Sequence, residues 1–584
     1  MKTRILKRLA AVPAALCILA ACGPKDGEHV LTLLSTNDVH GRYFDSTYVD
    51  GKLSRSLLSV QCVVDSVRTA AGRDNVVLVD AGDCLQGDNA AYYFNYVDTL
   101  TPHVYARMAG YMGYDAVAVG NHDVETGHAV YDRLTAELAA EGIPFLAGNA
   151  VRNDDGKPYF PVYKMVKRAG LKVAILGYGN ANIAGWLSES IWSGMHFVSL
   201  MPIVQEQVDA VRAKEKPDVV IAVVHSATGK GDGAVLEAEA LGLFNSVKGV
   251  DFVVCGHDHR PFVTKTETMG LLNSGSHCRF VAEGKLKVTV KGRKVVSKSV
   301  EEVELIPVDA AKADTAMRAK FHDDYLAVKR FTLQEVGELK SDLRTRDAYR
   351  GMSDYINLIH TIQLGCAPAQ ISIAAPLTYN GVVKAGTLIY NDMFTIYPYE
   401  NQLYVVRMTG QEVKDMLENS YDGWIRTISS PAEHVLNIIP RGDARTGQQG
   451  WSFVNRSYNF DSAAGICYTV DVTKPFGSRV SVSSMAGGYP FDPAATYAVA
   501  MTSYRANGGG DLLSAAGVDT DRIEERVIER YPEIRNLLYA YILEHGTIDP
   551  AVTGDPARIG SWKFVPERIA RPALDRDIQL LFGE

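Results

Sequence analysis

The pattern of hydrophobic positions divides the chain into regions of different architecture. In the first region, short and mostly β-branched apolar runs alternate with helical patterns, and each run ends in a polar or glycine-rich turn. These runs are Val30–Leu34, Val76–Val79, Ala116–Val119, Val173–Leu176, Val219–Val224 and Phe252–Val254. Between the first two runs, Leu57, Val60, Val64 and Val67 recur at near-helical spacing. Alternating strands and helices predict an α/β domain around a buried sheet.

The pattern changes near the middle of the chain. Met317, Phe321 and Val328 recur at helical spacing among many charges, which predicts one long connecting helix over 307–339. Mixed strand and helix patterns follow and predict a second, α+β domain. The expected boundaries are 30–306 for the first domain, 307–350 for the helical linker, 351–546 for the second domain and 547–584 for a C-terminal tail that packs back.

The N-terminal 22 residues have the pattern of a secretion signal. Basic residues precede the apolar stretch Leu9–Ala21, which is too short to span a bilayer and ends in Ala20-Ala21-Cys22-Gly23. Small residues before a cysteine resemble the lipobox of bacterial lipoproteins, so we expect lipidation of Cys22; an ordinary signal peptide is the alternative. The expected location is exported and lipid-anchored, facing the periplasm or the cell surface.

Composition and charge narrow the class of protein. The 584 residues are 47% hydrophobic and 22% charged, which excludes a largely disordered chain and predicts several folded domains. The formal net charge is −8, and no basic block stands out. Binding to a nucleic-acid polymer is therefore not expected. An anionic substrate would need local positive charge from metal ions or from a few basic side chains.

Five polar blocks carry the candidate chemistry, because each closely follows an apolar run. The blocks are Thr36–Gly41, Asp80–Asp83, Gly120–Asp123, Val224–Ser226 and Gly256–His259. Ligands of open α/β sheets bind just beyond the carboxyl ends of the strands, so side chains distant in sequence can converge there. One such block alone is weak evidence for a metal site, since most are turn residues or histidines with ordinary hydrogen bonds. Five blocks, each after an apolar run, together predict one metal site.

The residue types in these blocks suit hard or borderline divalent metals, because they offer carboxylate, amide and imidazole without thiolate. Asp38 and His40 stand two apart, and on an extended segment they would point to one side; His257 and His259 repeat that spacing. A carboxylate such as Asp83 can bridge two ions, and two ions ~3.5–4 Å apart clamp an in-line attack at phosphorus.

The blocks TNDVHG, DAGD, GNHD and GHDH together resemble those of the calcineurin-like metallophosphoesterases. More narrowly, they are similar to the exported 5′-nucleotidase and 2′,3′-cyclic-nucleotide phosphodiesterase family, over nearly the whole mature chain. The resemblance implies a four-layer α/β/β/α sandwich, a C-terminal nucleotide-recognition domain and two divalent ions, such as Mn, Zn, Co or Mg. The implied ligands are Asp38, His40, Asp83 and His259 for one ion, and Asp83, Asn121, His225 and His257 for the other.

The resemblance also implies an activity. Metal-activated water would attack phosphorus without a covalent enzyme intermediate, and a nucleotide substrate would yield nucleoside and phosphate. His122 would stabilise the charge that develops on phosphorus or on the leaving oxygen, and Asp123 would orient His122. The implied substrates are 2′,3′-cyclic nucleotides and 3′- or 5′-mononucleotides.

Substrate recognition is expected in the second domain. The family stacks the base between two aromatic rings, and the matching positions are Tyr399 and Tyr504, although either tyrosine could equally pack under a loop. Asn507 and Gly508 lie in a glycine-rich segment that permits close backbone approach to a ligand. Asp511 could accept hydrogen bonds from a base or a ribose.

One departure from the family pattern bears on which branch of the family the chain resembles. Typical 5′-nucleotidases carry an arginine in an Asn-Gly-Gly-rich segment at the start of the second domain, whereas Ile373–Gly381 has none and Arg407 is the next arginine. This stretch is more similar to the cyclic-nucleotide phosphodiesterase/3′-nucleotidase branch. The alternatives are a strict 5′-nucleotidase or UDP-sugar hydrolase, a sulfur-compound hydrolase of the same superfamily branch, and a non-catalytic lipid-anchored nucleotide-binding protein.

Overall fold

The computed structural model describes residues 24–442 and 449–583, so the predicted signal peptide with Cys22 lies outside the described residues. The first domain contains two six-stranded sheets. The first sheet has the strand order Lys294–Pro307, Phe280–Lys291, Gly27–Thr36, Val76–Asp80, Ala116–Ala118 and Phe145–Leu146. The second sheet has the order Phe262–Lys265, Gly270–Asn273, Phe252–Cys255, Val219–Val224, Leu171–Tyr178 and Tyr163–Arg168.

The two sheets pack face to face, because their central strands are apolar on both sides. Leu33 and Val79 of the first sheet share one buried cluster with Val173 and Val254 of the second. The outer faces are covered by helices Leu57–Ala71, Val104–Met112 and His128–Ala140 on the first sheet, and Leu200–Glu215 and Ala240–Ser246 on the second. The layers are therefore α/β/β/α, which confirms the predicted sandwich.

The strands that precede the polar blocks pair in parallel, so their carboxyl ends lie at the same edge. Gly27–Thr36 pairs with Val76–Asp80, and Val219–Val224 pairs with Phe252–Cys255. Smaller elements of this domain are the strands Ala150–Arg152 and Met195–Phe197 and the short helices Asn89–Tyr92 and Asn121–Glu125. This edge is where the five polar blocks meet.

The predicted long connecting helix is wrong. The connector contains two short helices, Thr315–Lys320 and His322–Thr332, and the helical path breaks at Phe321, where φ is −104° and ψ is 16°. Met317, Phe321 and Val328 are buried in the core of the first domain. Their spacing therefore reflects two helices packed on that domain, and the apolar periodicity does not distinguish one helix from two.

The second domain is built around a five-stranded sheet with the order Ser462–Ala464, Ile371–Ala374, Thr496–Thr502, Gln402–Thr409 and Val527–Glu533. Two three-stranded sheets have the orders Gly386–Ile389, Glu335–Leu339, Thr547–Ile548 and Val480–Met485, Ile466–Asp471, Gly560–Val565. The main helices are Asp354–Cys366, Tyr390–Ile396, Gly410–Trp424, Ile534–His545 and Glu567–Phe582.

The ends of the second domain differ from the expected boundaries. The strand Glu335–Leu339, expected in the linker, pairs with Thr547–Ile548 of the expected tail. A second tail strand, Gly560–Val565, pairs with Ile466–Asp471, and Leu574 and Ile578 of the last helix lie in the main core of this domain. The tail is thus an integral part of the second domain. Among the described residues, none of the helices is both long and apolar enough to cross a membrane.

Candidate metal centre

The five polar blocks converge at the shared edge of the two sheets. Potential ligand atoms lie within 4.8 Å of one another in each of two groups, which are Asp38 with His40 and His259, and Asp83 with His225 and His257. These six residues come from four of the blocks. Asn121, from the fifth, contacts the second group. The structure thus brings together all seven side chains for which the sequence predicts metal binding.

Most of these residues have a backbone conformation that the sequence did not indicate. The φ angles of Asp38, His40, Asp83, His257 and His259 lie between 49° and 75°, in the left-handed region. The expectation that an extended segment points Asp38 and His40 to one side is therefore wrong, although the side chains do converge. A non-glycine residue held in this region costs on the order of 1–3 kcal/mol, and such strain clusters at functional sites.

The first group presents nitrogen lone pairs toward a common point. His40 Nδ1 donates to the carbonyl of Gln86 at 3.0 Å, so its Nε2 carries the lone pair. That Nε2 lies 2.9 Å from Nε2 of His259, which is 3.5 Å from Asp38 Oδ1. Burial lowers the pKa of His40 to about 3, so the imidazole is neutral and competent as a ligand at neutral pH.

The second group is centred on Asp83. His225 Nδ1 donates to the carbonyl of Ala81 at 2.7 Å, which directs Nε2 toward Asp83 Oδ2 at 3.1 Å. The Oδ1 atom of Asn121 lies 3.0 Å from that Nε2 and 2.8 Å from His257 Nδ1. Burial opposes protonation of His225, but Asp83 raises its pKa to about 9, so a proton occupies this position when a cation does not.

These donor atoms fit the dimetal site that the resemblance implies. Asp83 Oδ2 is buried and accepts no hydrogen bond of proper geometry from the described residues, whereas Oδ1 accepts the His122 N–H at 2.8 Å. Burial raises the pKa of Asp83, but His225 and His122 more than offset this effect and bring the pKa well below its ordinary value. An ionised, buried carboxylate oxygen beside imidazole nitrogens is suited to a divalent cation.

The predicted role of Asp123 as the partner of His122 is wrong. His122 Nδ1 contacts Glu125 Oε2 at 2.6 Å, three positions further along the short helix Asn121–Glu125. Burial would lower the pKa of His122, but Asp83 and Glu125 raise it to about 10. His122 is therefore a charged donor, and its ring centroid lies 5.5 Å from that of His40.

Asp123 instead stabilises the backbone that carries the site. Its carboxylate accepts the N–H groups of Asp83 and Cys84 at 2.9 Å, Leu85 at 3.0 Å and Gly120 at 2.8 Å. The side chain is fully buried. It joins the DAGD and GNHD blocks and so fixes the backbone of Asp83 relative to that of Gly120.

Two residues at the site carried no signal in the sequence. The ring of His277 lies 5.2 Å from that of His40 and 5.8 Å from that of His259. Trp186 stacks on His257, with centroids 5.1 Å apart and planes at 24°. Both lie in loops that match none of the five blocks, so only the folded chain brings them to the site.

One of the predicted nucleotide residues, Asn507, contacts a residue that packs on a candidate metal ligand. Asn507 Nδ2 donates to the carbonyl of Trp186 at 3.3 Å, which joins the two domains next to His257. Tyr399 and Tyr504 are partly exposed, and Asp511 is exposed with a left-handed φ of 58°.

The glycine-rich segment allows the backbone to approach a side chain of the protein itself. A Cβ at Gly509 would lie 2.4 Å from the Tyr504 ring, and Gly508 adopts a φ of 95° that favours glycine. Here the close backbone approach is to an aromatic side chain of the protein itself.

Comparison with known proteins assigns both domains. Residues 31–261 match the family model of the calcineurin-like phosphoesterases, and residues 334–516 match that of the 5′-nucleotidase C-terminal domain. The first family uses a dimetal centre, so the two groups of Asp and His side chains are the candidate binding site for its ions.

Individual relatives are distant but extend over most of the chain. A 2′,3′-cyclic-nucleotide 2′-phosphodiesterase/3′-nucleotidase of Yersinia enterocolitica is 23% identical over 89% of this chain and 86% of its own length. The trifunctional nucleotide phosphoesterase protein YfkN of Bacillus subtilis is 23% identical over 94% of the chain, which spans 40% of that longer protein. A solved structure of a candidate 5′-nucleotidase from Staphylococcus aureus covers 92% of this chain and 99% of its own, with a TM-score of 0.73 and 19% identity, and shares the two-domain fold.

Proposed function

Because the chain belongs to the 5′-nucleotidase and 2′,3′-cyclic-nucleotide phosphodiesterase family, we propose that it hydrolyses extracytoplasmic nucleotides to nucleoside and phosphate. It is a metal-dependent phosphoester hydrolase of that family. The substrates that we propose are 2′,3′-cyclic nucleotides and 3′- or 5′-mononucleotides.

One observation carries this proposal: a single residue of the first domain, Trp186, contacts both a candidate metal ligand and a candidate substrate-binding residue of the second domain. Trp186 stacks on His257 and accepts a hydrogen bond from Asn507, which lies three residues after Tyr504. A nucleotide whose base lies between Tyr399 and Tyr504 can therefore extend its phosphate toward the metal ligands.

The mechanism follows from the roles of these side chains. Asp38, His40, Asp83 and His259 would hold one cation, and Asp83, Asn121, His225 and His257 the other. Bound there, divalent cations supply Lewis-acid polarisation of the phosphoryl oxygens and a lowered pKa for water.

Other groups of the chain act on the leaving oxygen and on the base. Glu125 holds Nδ1 of His122, so Nε2 is free to donate a proton to the leaving ribose oxygen. Asp123 fixes the backbone on which Asp83 stands. The two tyrosines bind the base and thereby position the phosphorus for in-line attack.

Two observations favour the cyclic-nucleotide phosphodiesterase/3′-nucleotidase branch. The stretch Ile373–Gly381 lacks the arginine of typical 5′-nucleotidases. The Yersinia enterocolitica relative with that dual name aligns over 89% of the chain. We propose this branch for the chain, with the strict 5′-nucleotidase or UDP-sugar hydrolase and the sulfur-compound hydrolase as the alternatives to test.

The location of the protein is proposed from the sequence. The segment Leu19–Gly23 has the pattern of a lipobox, so Cys22 would carry the lipid after signal cleavage. An exported enzyme tethered to a membrane would meet nucleotides outside the cytoplasm. Substrate would then be drawn from the periplasm or from the surroundings of the cell.

A metal-supplemented hydrolysis panel tests the proposal. Metal-free protein is assayed with Mn²⁺, Co²⁺, Zn²⁺ or Mg²⁺ on 2′,3′-cyclic AMP, 3′-AMP, 5′-AMP and a UDP-sugar, with a sulfur ester as the alternative substrate. The highest kcat/KM is expected on cyclic or 3′-nucleotides. A preference for 5′-AMP, for the UDP-sugar or for the sulfur ester would select the corresponding alternative, and metal-loaded protein that binds nucleotides without hydrolysing any would indicate a non-catalytic binding protein.

A further inference from the structure

A third tyrosine lies beside the two predicted stacking residues. The ring centroid of Tyr458 is 6.3 Å from that of Tyr399, with the planes at 83°, and 6.2 Å from that of Tyr504, with the planes at 90°. The Tyr458 ring is thus nearly perpendicular to both other rings, in the T-shaped geometry that aromatic pairs prefer.

These distances limit the space between Tyr399 and Tyr504. Their centroids cannot be more than about 12.5 Å apart, because each lies within 6.3 Å of Tyr458. Within the described part of the chain, the rings of Tyr399 and Tyr504 contact Tyr458 but not each other. A base between two rings needs about 7 Å, twice the ordinary van der Waals separation. Tyr458 therefore contacts both of the rings that are expected to hold the base.

A buried arginine holds this arrangement together. Arg505 is 3% exposed, its Nε lies 2.7 Å from Asp461 Oδ2, and its Nη2 donates to the carbonyl of Tyr458 at 3.1 Å. Its Nη1 donates to the carbonyl of Gly509, and its guanidinium carbon lies 5.4 Å from the Tyr504 ring centroid. One side chain thus contacts two of the three tyrosines and the glycine-rich segment.

The glycines make this contact possible. A Cβ at Gly509 would lie 2.4 Å from the Tyr504 ring, and a Cβ at Gly510 would lie 2.6 Å from Arg505 Nη1. Gly510 also needs its left-handed φ of 71°. The local sequence is therefore arranged to seat Arg505 and Tyr504 against the segment that carries Tyr458.

We propose that Tyr458 is a specificity-determining residue that forms the third wall of the base slot, and that Arg505 is a positioning residue that sets the relation of Tyr458 to Tyr504. This inference rests on the proposed nucleotide function and deepens it. A third wall limits how far a base enters and favours the ring size that fills the slot. Two walls alone would accept any base, since every base has a π-face.

The experiment compares single variants in the full-length protein, on 2′,3′-cyclic AMP and 2′,3′-cyclic CMP. In Tyr458→Ala, KM for nucleotides should rise roughly 5- to 30-fold, because two aromatic contacts are lost, while kcat stays within twofold. The ratio of KM between the purine and the pyrimidine should also move toward one. Tyr458→Phe keeps the ring and should retain the wild-type KM values.

Matched controls separate a slot effect from a structural one. Tyr489 is an exposed tyrosine of the same domain, 72% accessible, so Tyr489→Ala should leave every parameter unchanged. Hydrolysis of bis(p-nitrophenyl) phosphate, which has no base, should be unchanged in Tyr458→Ala. Arg505→Lys keeps the charge but loses the planar fork, so KM for nucleotides should rise while the metal content stays at the wild-type level.

The outcomes distinguish this inference from the proposed function. If Tyr399→Ala raises KM and Tyr458→Ala does not, Tyr458 is not a wall of the slot and the inference is overturned, whereas the nucleotide function stands. A fall in kcat on both substrate types in Tyr458→Ala would also overturn it, because the role would be structural. If the wild-type protein hydrolyses no nucleotide under any metal, the proposed function fails and the inference fails with it.

Discussion

Replacing Glu125 by Gln tests whether Glu125, rather than Asp123, is the catalytic partner of His122. The variant keeps the shape of the side chain but removes the negative charge opposite His122 Nδ1, which lies 2.6 Å from the carboxylate. A hydrogen bond to a charged group contributes about 1.5–3 kcal/mol. If that energy stabilises the transition state, kcat should fall roughly 10- to 150-fold. The side chain of Glu125 is largely shielded from solvent, so screening should reduce this effect little.

The assay uses two leaving groups to locate the effect. On 2′,3′-cyclic AMP or 3′-AMP, the ribose oxygen needs a proton as it leaves, so kcat should fall by the full 10- to 150-fold. On bis(p-nitrophenyl) phosphate the leaving phenolate is stable without a proton, so the loss should be several-fold smaller. The melting temperature of Glu125→Gln should fall by less than that of Asp123→Asn, because one hydrogen bond is weakened rather than four.

Asp123→Asn is the matched control, because Asp123 accepts four backbone N–H groups rather than contacting the His122 ring. An amide nitrogen facing these donors should cost roughly 2–4 kcal/mol and lower the melting temperature by about 5–15 °C. The assignment is refuted if Glu125→Gln keeps the wild-type kcat, or if Asp123→Asn loses activity at an unchanged melting temperature.

Three further predictions concern other parts of the molecule. Cys22→Ser should release the protein from membranes, and retention after a high-salt wash would contradict the lipid anchor. Trp186→Ala should raise KM for nucleotides roughly two- to tenfold, because a stacking contact with His257 is lost; equal KM values would contradict this. Burial raises the pKa of Glu400 from 4.5 to about 7, although Arg535 opposes this shift. The protonated carboxyl therefore stabilises the fold by roughly 3 kcal/mol below about pH 4.5, and this contribution is lost as the pH rises through 7. Urea unfolding of Glu400→Gln should lack this slope between pH 5 and pH 8, and an equal slope in both proteins would contradict it.

The fold of the first domain and its metal ligands could be predicted because both are local properties of the sequence. Each β-branched run is a strand, and each polar block lies at the carboxyl end of one. Parallel pairing then brings Asp38 and Asp83 to one edge of the first sheet. His225 follows a strand of the second sheet and joins them because the two sheets pack face to face. The left-handed backbone at Asp38 and Asp83 could not be predicted, because hydrophobic patterning carries no information on φ.

The partner of His122 could have been predicted from helical geometry. Residues Asn121–Glu125 form a short helix, in which positions three apart share a face and adjacent positions do not. Glu125 is therefore the expected neighbour of His122, and Asp123 points elsewhere. By contrast, the contact of Tyr458 with Tyr399 joins segments distant in the chain, so no local pattern indicates it.

If two divalent ions share Asp83, removal of its carboxylate should abolish metal binding and activity together. Wild-type protein reconstituted with Mn²⁺ and freed of excess metal should contain about two ions per chain by elemental analysis, and activity should require both. Asp83→Ala should lose both ions and nearly all activity, while His225→Ala should keep one. A wild-type protein with a single ion, or Asp83→Ala with full activity, would contradict a dimetal site that shares Asp83.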